Sequence, residues 1–239
     1  MKTLELSLPT PELNLACDEA LLDQLDSGHP EEILRFWEPE QPFLVLGYAG
    51  RAHSEIHVPR AQSEQVPILR RCSGGGTVLQ TPGCLNYSLL LRMDNHPELK
   101  TITGTNAFVL DRHCKALSHS LSLTIHHQGE TDLALGTLKF SGNAQRRKRN
   151  ALLFHGTFLL KLNVNLMEQL LRLPARQPTY RENRSHREFL TTLPCSTQQL
   201  KELLKIAWGA TSPFQAIPHQ QIQTLAQTVY GTNRWNFKF

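Results

Sequence analysis

Residues 70–78 read RRCSGGGTV and bring two arginines, a serine and three consecutive glycines together between two apolar, strand-like runs. Glycine admits positive φ and lets the backbone approach a ligand closely, so the N–H groups of residues 74–76 could hold an anion. Arg70 and Arg71 would add positive charge to that cradle. The segment matches neither GxxxxGK[ST] nor GxGxxG, so the usual nucleotide-binding motifs do not apply, and a glycine-rich hairpin turn stays the alternative.

A second group of candidate residues lies in the segment 129–157, GETDLALGTLKFSGNAQRRKRNALLFHGT. Lys139 sits just before Ser141 in a strand-like run, where its ammonium could contact a bound carbonyl or phosphoryl oxygen. Asp132 could hold a Mg²⁺ ion or cap a turn. Structural roles are the alternatives: a solvated lysine on an edge strand, and a satisfied core histidine for His155.

The composition excludes several classes of protein. The 239 residues contain 25 Lys+Arg and 21 Asp+Glu, and the net charge of +4 is too small to indicate a general nucleic-acid binder. No apolar run approaches the roughly 18 residues that a membrane span needs, and the first ten residues lack a secretory signal. Five cysteines without a CxxC pair indicate neither a disulfide framework nor a zinc site. The sequence therefore predicts a cytoplasmic protein that binds neither nucleic acid nor membranes.

The elements that position these residues can be predicted from apolar periodicity. Thr10 is expected to cap a first helix that has Pro11 in its first turn and ends at Gly28. Short apolar runs then predict strands, and a second amphipathic helix is predicted over 105–121. The predicted strands are 33–37, 42–47, 66–71, 76–80, 85–92, 123–127, 132–140 and 151–162, and three further helices are predicted around 165–172, 197–208 and 219–229.

This order of elements predicts the fold class. Strands follow one another in series, with helices interspersed but not strictly alternating, which is typical of an α+β domain with a mixed, mostly antiparallel β-sheet flanked by helices. No stretch of the sequence reads as a linker between domains. Residues 1–239 are therefore predicted to form a single domain.

Taken in order, RRCSGGGTV, PGCLNYS, GETDL, LKFSGNAQ and LFHGTFLL resemble the motifs of the lipoate-protein ligase A family. This family is a branch of the biotin and lipoate protein ligase fold. The resemblance begins at NLACDEALL (14–22), continues through LRFWEPEQPFLVLGYAG (34–50) and extends to YGTNRWNFKF (230–239). It therefore covers nearly the whole chain, and the GRGRxGR-type loop of biotin ligases is absent.

The resemblance implies a pocket for a medium-chain acyl group with an acyl-adenylate above it, so ATP, Mg²⁺ and lipoate or octanoate are the expected ligands. Lys139 matches the lysine that binds the acyl carbonyl and phosphate oxygens, and would be the catalytic residue. His155 and Gly156 match the strand that borders the acyl tunnel. The expected binding residues are Arg70, Arg71, Ser73, Gly74, Gly75, Gly76, Thr77, Asn86, Asp132, Ser141, Gly142, His155 and Gly156, with Asp132 also a candidate Mg²⁺ ligand.

Members of this fold perform two reactions. Ligases activate lipoate with ATP and transfer it to a lysine, whereas transferases move an octanoyl group from acyl carrier protein through a cysteine thioester. One expected cysteine position falls in HHQGETDLAL, which has no cysteine, and the other is Leu152. These departures favour a lipoate-protein ligase, with an octanoyltransferase as the alternative. Cys72 and Cys84 flank the glycine loop and could supply a thiol, or could be small buried residues.

The resemblance also carries expectations about partners. Two-domain ligases continue past the WN motif into an accessory domain, so this chain is expected to be a single-domain form whose accessory part is missing or is a separate polypeptide. SGNAQ and the stretch 177–190 are more similar to single-domain relatives, some of which are transferases. The expected acceptor is an acidic lipoyl-carrier domain. The basic run RRKR (146–149) would steer it from a hairpin tip, with a nuclear-localisation or nucleic-acid patch as the alternative.

Overall fold

The computed structural model describes all 239 residues and contains eleven β-strands. They are β1 (Lys2–Glu5), β2 (Ile33–Trp37), β3 (Phe43–Leu46), β4 (Ile68–Arg70), β5 (Val78–Gln80), β6 (Cys84–Arg92), β7 (Ile125–Gln128), β8 (Asp132–Leu135), β9 (Leu138–Arg147), β10 (Ala151–Leu159) and β11 (Ser212–Pro213). Eight of them form one sheet in the order β11-β1-β2-β6-β10-β9-β8-β7, and the other three form a second sheet in the order β4-β3-β5.

Both sheets are mixed. In the large sheet β1 is parallel to β2 and β11, and every other neighbouring pair is antiparallel. In the small sheet β3 is parallel to β4 and antiparallel to β5. The predicted α+β class, with a mixed and mostly antiparallel sheet flanked by helices, is therefore confirmed.

Nine α-helices connect the strands. They are α1 (Pro11–Asp26), α2 (Ala52–Glu55), α3 (Val58–Ser63), α4 (Ile102–Leu121), α5 (Val164–Leu170), α6 (His186–Phe189), α7 (Thr197–Trp208), α8 (His219–Leu225) and α9 (Asn233–Asn236). Thr10 caps α1 as predicted, with its hydroxyl accepting from the N–H of Leu13. Helix α4 starts before the predicted residue 105 because Thr101 caps it through the N–H of Gly104. None of the helices combines the length and the hydropathy that a membrane span requires.

Alternate residues along β2, β6 and β10 face opposite sides of the large sheet, so the two sides build two separate cores. On one side they pack against α4 and α7, and on the other against α1 and α8. The α4-side core includes Phe36, Leu89, Phe154, Leu200 and Trp208. The α1-side core includes Leu21, Leu25, Leu90, Leu153 and Ile222. A third core lies between the small sheet and the short helices α2, α3 and α5.

One predicted strand was wrong in its extent. Residues 132–140 form two antiparallel strands rather than one, because the chain reverses between β8 and β9 at Gly136, whose φ is +58°. The elements that the sequence did not predict are β1, β11 and the short helices α2, α3, α6 and α9. Each spans six residues or fewer, which is too short to show a hydrophobic period.

Helix α4 contains a buried histidine that makes stability depend on pH. The indole Nε1 of Trp208 donates to Nε2 of His113 at 2.9 Å. Burial, together with a smaller effect of the Arg112 charge, lowers the pKa of His113 from 6.5 to about 3. Because the folded-state pKa lies below the unfolded one, the unfolded chain binds this proton more readily. The contribution to stability is therefore complete above pH 6.5 and declines as the pH falls toward 3.

The unfolded wild type takes up one proton more than the folded state at this histidine, and His113→Leu removes that difference. Below the ordinary histidine pKa, we therefore expect the free energy of unfolding of the variant to depend less steeply on pH, by about 1.4 kcal/mol per pH unit. The measurement is the free energy of unfolding in urea at a series of pH values. His119→Leu, at an exposed position of the same helix, is the matched control and should keep the wild-type slope. Equal slopes for the wild type and His113→Leu would contradict the assignment.

Candidate active site

Three central strands and β9 carry polar or small residues in one row on the α1 side of the large sheet. In the strand register Arg35 lies opposite Ser88, Ser88 lies opposite His155, and His155 lies opposite Ala144. A second row, two residues along each strand, contains Trp37, Asn86, Thr157 and Gly142, with Asp132 at its end. These rows form the floor over which the glycine loop lies.

The glycine loop, residues 73–76, presents unpartnered backbone donors. Gly74, Gly75 and Gly76 are exposed, and none of their N–H groups donates to an acceptor within the protein. Two of their carbonyls are held by Arg71, whose Nη2 donates to the carbonyl of Gly74 at 2.6 Å and to that of Gly76 at 2.9 Å. Of the three, Gly75 has a positive φ, +89°. Three adjacent free amides can bind a phosphate, a carboxylate or a developing oxyanion.

Arg71 supports the loop from below. It is nearly buried, and besides the two loop carbonyls its guanidinium reaches Ser73 Oγ at 3.1 Å and the carbonyl of Val45 at 3.3 Å. Burial lowers its pKa from 12.5 to about 10, so it still carries its charge at neutral pH. The prediction placed this charge in direct contact with a ligand, whereas the structure places it behind the loop.

Arg70 has a different surrounding from the predicted one. Its side chain is fully buried and holds the C-terminal helix α9, with Nε donating to the carbonyl of Trp235 at 3.0 Å and Nη2 to that of Asn236 at 2.8 Å. Trp235 Nε1 returns a hydrogen bond to the Arg70 carbonyl. Nη1 donates to the carbonyls of Gly47, Tyr48 and Gly50. All of these acceptors are backbone carbonyls of the protein, so Arg70 has a structural role and its guanidinium does not face an open binding site.

Gly47 is a site residue that the sequence reasoning missed. A Cβ atom at this position would overlap the carbonyl oxygen of Gly75, so the end of β3 can approach the loop only without a side chain. The N–H of Tyr48 then donates to the carbonyl of Ser73 at 2.8 Å. The signal in the sequence was a glycine directly after the buried run FLVL, but nothing in the sequence showed what it approaches.

Lys139 lies at the edge of the site on β9. Its Nζ is 2.7 Å from Asp132 Oδ1, and a quarter of the side chain is exposed. The backbone of Gly142 makes room for it, because a Cβ there would lie 2.7 Å from the Lys139 Nζ. Tyr180, another residue that the sequence did not suggest, donates from its hydroxyl to Asp132 Oδ2 at 2.8 Å. The structure therefore brings together three of the expected site residues, Lys139, Asp132 and Gly142.

The residues present do not form a magnesium site on their own. Both oxygens of Asp132 are engaged, one by Lys139 and the other by Tyr180. No group of three or more His, Cys, Asp and Glu side chains is arranged so that it could hold a metal ion. The predicted role of Asp132 as a Mg²⁺ ligand therefore does not fit this geometry, and no step is assigned to the metal.

Two predicted residues face the opposite side of the sheet. Ser141 is buried in register with Leu133 and Phe158 of the α4-side core, and its hydroxyl has no partner. Gly156 also lies on that side, where a Cβ would overlap Oδ1 of Asn143. Because side chains alternate between the faces of a strand, neither residue is directed at the glycine loop, and the binding role expected for them stays a prediction.

Two further predicted residues are engaged within the protein. Asn86 and Gln80 exchange two hydrogen bonds of 2.9 and 3.0 Å between their amides, and Asn86 Oδ1 also accepts from the Thr157 hydroxyl. Thr77 donates from both its N–H and its hydroxyl to Glu55 Oε2, at 3.2 and 2.6 Å. These contacts fix the strand that leaves the loop and the short helix α2 beside it.

A buried polar chain connects α1 to the loop. Ser73 Oγ lies 2.6 Å from His155 Nε2, and His155 Nδ1 lies 3.2 Å from Asp18 Oδ2. Asp18 also accepts from the Ser88 hydroxyl at 2.8 Å and forms an ion pair with Arg35 at 2.5 Å. Burial acts to raise the pKa of Asp18, but the opposite effect of Arg35 and His155 is larger. The net pKa is lowered, so the carboxylate stays ionised. Asp18 and Arg35 were not predicted as site residues.

The basic run 146–149 divides between two roles. Lys148 forms an ion pair with Asp23, and Arg147 donates to the carbonyl of Leu99. Arg146 forms no salt bridge, and its guanidinium lies 5.7 Å from the ring centroid of Tyr48. The Nζ of Lys238 lies 3.4 Å from the same centroid. Two cations thus stand beside the residue that follows Gly47, next to the glycine loop.

The thiols beside the loop are buried and unreactive in character. Burial raises the pKa of Cys72 to about 12 and that of Cys17 to about 11, and it also raises the pKa of Cys84. The thiolate is the reactive form of cysteine, so these shifts suppress nucleophilic attack. Leu152, the other thiol position considered, is buried in the α4-side core, on the face opposite His155.

A groove of about 720 Å³ runs along α4 at the surface. Its walls include both acidic and basic side chains, among them Glu98, Asp111 and Lys115. None of the predicted site residues lines it, so it does not belong to the candidate active site.

Comparison with known proteins shows the family of this chain. Residues 10–205 match the model of the lipoyl protein ligase A/B catalytic domain. The chain belongs to this family. Within the lipoyl protein ligase A/B family it is 26% identical to the octanoyltransferase LipM of Oceanobacillus iheyensis, over 90% of this chain and 84% of that protein. It is also 26% identical to lipoate–protein ligase 1 of Staphylococcus aureus, over 97% of this chain and 71% of that protein.

Solved structures of lipoate-protein ligases share the fold. A crystal structure described as lipoate-protein ligase A bound with ATP superposes with a TM-score of 0.84 at 21% identity, covering 99% of both chains. A structure described as a bi-partite lipoate protein ligase and its E2 lipoyl domain, from Thermoplasma acidophilum, gives a TM-score of 0.80 at 22% identity, with 99% and 96% coverage. At these identities the likeness establishes the arrangement of the family's catalytic-domain fold.

The contact between Gly47 and the loop can be tested by adding one methyl group. We expect Gly47→Ala to lower the free energy of unfolding by about 1–3 kcal/mol, because the new Cβ overlaps the Gly75 carbonyl and either backbone must move. Gly74→Ala is the control, since a Cβ there meets no atom within 4 Å, and it should change stability by less than about 0.5 kcal/mol. Equal losses in urea unfolding would contradict the described packing.

Proposed function

We propose that this protein is a lipoate-protein ligase, which activates lipoate or octanoate with ATP and transfers the acyl group to a lysine of a lipoyl-carrier protein. The observation that carries the proposal is the set of three unpartnered, exposed amides in residues 74–76. A Cβ at Gly75 would lie 3.9 Å from the Cβ of Ala144 on β9, the strand that also carries Lys139 and Arg146. A mixed anhydride of a carboxylic acid and AMP presents to the protein a phosphate and an adjacent carbonyl. Free N–H groups and nearby cations match that distribution of negative charge.

The two kinds of donor have different tasks in this proposal. The loop amides are fixed before a ligand arrives, because Arg71 and Gly47 hold the loop from below. Fixed dipoles stabilise developing charge without reorganising at the moment of reaction. Lys139 is paired with Asp132 but partly exposed, so its ammonium can exchange that partner for a phosphate or carbonyl oxygen.

The state of the thiols supports an adenylate over a cysteine thioester. Cys72 and Cys84 flank the loop, but both are buried and burial raises the pKa of each. A ligase that activates the acid with ATP needs no enzyme thiol, because AMP is the leaving group. The similarity in fold to the lipoate-protein ligase A described as bound with ATP is consistent with this choice.

An octanoyltransferase is the second candidate, and one observation favours it. The alignment with the octanoyltransferase LipM of Brevibacillus brevis, at 24% identity, covers 96% of this chain and 95% of that protein. Such an enzyme would take an octanoyl group from acyl carrier protein and would not require ATP.

The proposed acceptor is an acidic lipoyl-carrier domain. Exposed Arg146 and Arg149 lie at the β9–β10 end, and Lys238 lies beside Tyr48, so one side of the loop is positively charged. Complementary charge speeds the encounter between two proteins and orients them. The bi-partite Thermoplasma acidophilum ligase provides a precedent for a separate accessory polypeptide. Such a partner, together with a cytoplasmic location, belongs to the proposal.

Mass spectrometry of the acceptor tests the proposed reaction. We expect the pure protein to add a lipoyl mass to an apo lipoyl domain in the presence of ATP, Mg²⁺ and lipoate, and adenylate formation to be measurable as pyrophosphate exchange. Modification that needs octanoyl-acyl carrier protein and proceeds without ATP would instead establish the transferase.

Lys139→Ala should reduce adenylate formation at least about 100-fold, since it removes a charge that contacts the reacting group. Stability should change by less than about 1 kcal/mol, because the side chain is partly exposed. Lys115→Ala, at an exposed position of α4, is the matched control and should keep wild-type activity. Near wild-type turnover of Lys139→Ala would contradict the assigned role.

A further inference from the structure

The chain from Ser73 to Asp18 has the geometry of an activated hydroxyl. Ser73 Oγ is 2.6 Å from His155 Nε2, and His155 Nδ1 is 3.2 Å from Asp18 Oδ2. A nucleophile hydrogen-bonded to a base, with the base oriented by a third group, is the arrangement that activates serine in unrelated folds. All three residues come from separate parts of the sequence, so local chain geometry does not impose the arrangement.

The neighbouring donors fix where the protons lie. Arg71 Nε donates to Ser73 Oγ at 3.1 Å, so the hydroxyl accepts from Arg71 and its own proton is directed at His155 Nε2. Asp18, ionised by its pairing with Arg35, accepts from Nδ1 of the imidazole. This tautomer leaves Nε2 as the basic nitrogen, which is the form that can remove the serine proton.

Donors for an oxyanion lie directly after the hydroxyl in the chain. The next three residues are those with unpartnered N–H groups, and such amides stabilise the tetrahedral intermediate of acyl transfer. A nucleophile, a base, an orienting carboxylate and an oxyanion site therefore occur together in the loop, the sheet beneath it and α1. The proposed ATP-dependent reaction uses the amides but does not need a serine–histidine pair.

We propose that Ser73 is an acyl acceptor that forms an ester with a medium-chain acyl group delivered as a thioester. Oγ attacks the thioester carbonyl carbon, the C–O bond forms and the C–S bond breaks. His155 takes the hydroxyl proton and gives it to the departing sulfur, so that a free thiol leaves. The resulting ester is passed to a lysine amine: the C–N bond forms, the ester C–O bond breaks, and the amine proton returns through His155 to Ser73. This activity goes beyond the ATP-dependent ligation proposed above.

Access to the hydroxyl comes through the glycines. Ser73 itself is buried, with 1% of its surface exposed. The loop beside it is exposed, and Cβ atoms added at Gly74 or Gly76 would meet nothing within 4 Å. The outer side of the loop is therefore open to an acyl donor. To reach Oγ, the donor must displace part of the loop from its contacts with Arg71 and Gly47. Ester formation is thus coupled to donor binding, which protects the ester from water.

The test uses octanoyl-CoA as the probe and omits ATP. We expect the intact protein to gain one octanoyl mass, located by peptide mapping at Ser73 and stable to neutral hydroxylamine, which removes thioesters but leaves serine esters. Ser73→Ala should abolish the adduct, and His155→Gln should slow its formation at least about 100-fold. Cys72→Ser, which changes the adjacent residue to a weak nucleophile, should keep it.

Two further variants separate chemistry from folding. Ser73→Cys retains the hydrogen-bonding position and should still be acylated, but its adduct should become sensitive to hydroxylamine. Asp18 acts through His155 as a positioning residue, so Asp18→Asn should lower the maximal rate of acylation and leave the half-saturating concentration of octanoyl-CoA unchanged. Thermal unfolding of each variant shows whether it is folded.

Three results would overturn the proposal. They are no adduct on the wild type, an adduct that survives in Ser73→Ala, and a wild-type adduct that neutral hydroxylamine removes. Lipoylation with ATP is measured on the same preparation. If the protein lipoylates the acceptor but forms no ester, only the acyl-serine proposal is refuted. A missing ligation with an ester present refutes the ATP-dependent reaction alone.

Discussion

The ion pair between Asp18 and Arg35 is the contact on which the rest of the site depends. Both side chains are almost completely buried, and a buried charge is tolerated only with a partner and further hydrogen bonds. Asp18 therefore contacts one side chain on each central strand: Arg35 on β2, Ser88 on β6 and His155 on β10. Arg35 also donates to the carbonyl of Asn14 in α1 and to that of Leu6 in the preceding loop. One carboxylate thus sets the position of α1 across the three central strands, and through His155 it sets the position of the glycine loop.

The glycine loop is shaped by what surrounds it on both sides. Arg71 holds the carbonyls of Gly74 and Gly76, Gly47 allows β3 to lie against the loop, and the three glycine amides are left without an acceptor. The bare sequence suggested that glycine flexibility and arginine charge would act directly on an anion. In the structure both arginines donate to backbone carbonyls, and the loop amides are the donors left without an acceptor. Lys139 and Arg146 are the cations on β9 at the edge of the site.

Sequence reasoning predicted the features that are local. The strand pattern, the capped first helix and the glycine loop followed from residues close together in the chain. It could not predict that Asp18 meets His155, because a carboxylate on an otherwise apolar helix face has no local partner, and the register of three strands decides what it contacts. The same limit applied to Ser141 and Gly156, whose side of the sheet follows from strand register rather than residue type. The residues next to them in the sequence do not reveal which face of the sheet they occupy.

The anchoring of Arg70 by Trp235 and Asn236 has a consequence for the order of folding. The contacts join residues separated by 165 and 166 positions, so closing them costs chain entropy that only a largely formed core can offset. The sheet can assemble from nearer neighbours, with β9 against β10 and β10 against β6, while the segment before the glycine loop still lacks its anchor. A nascent chain would therefore possess its scaffold well before a competent binding loop, and partial unfolding at α9 would disable the enzyme while most of its amide protons remain protected.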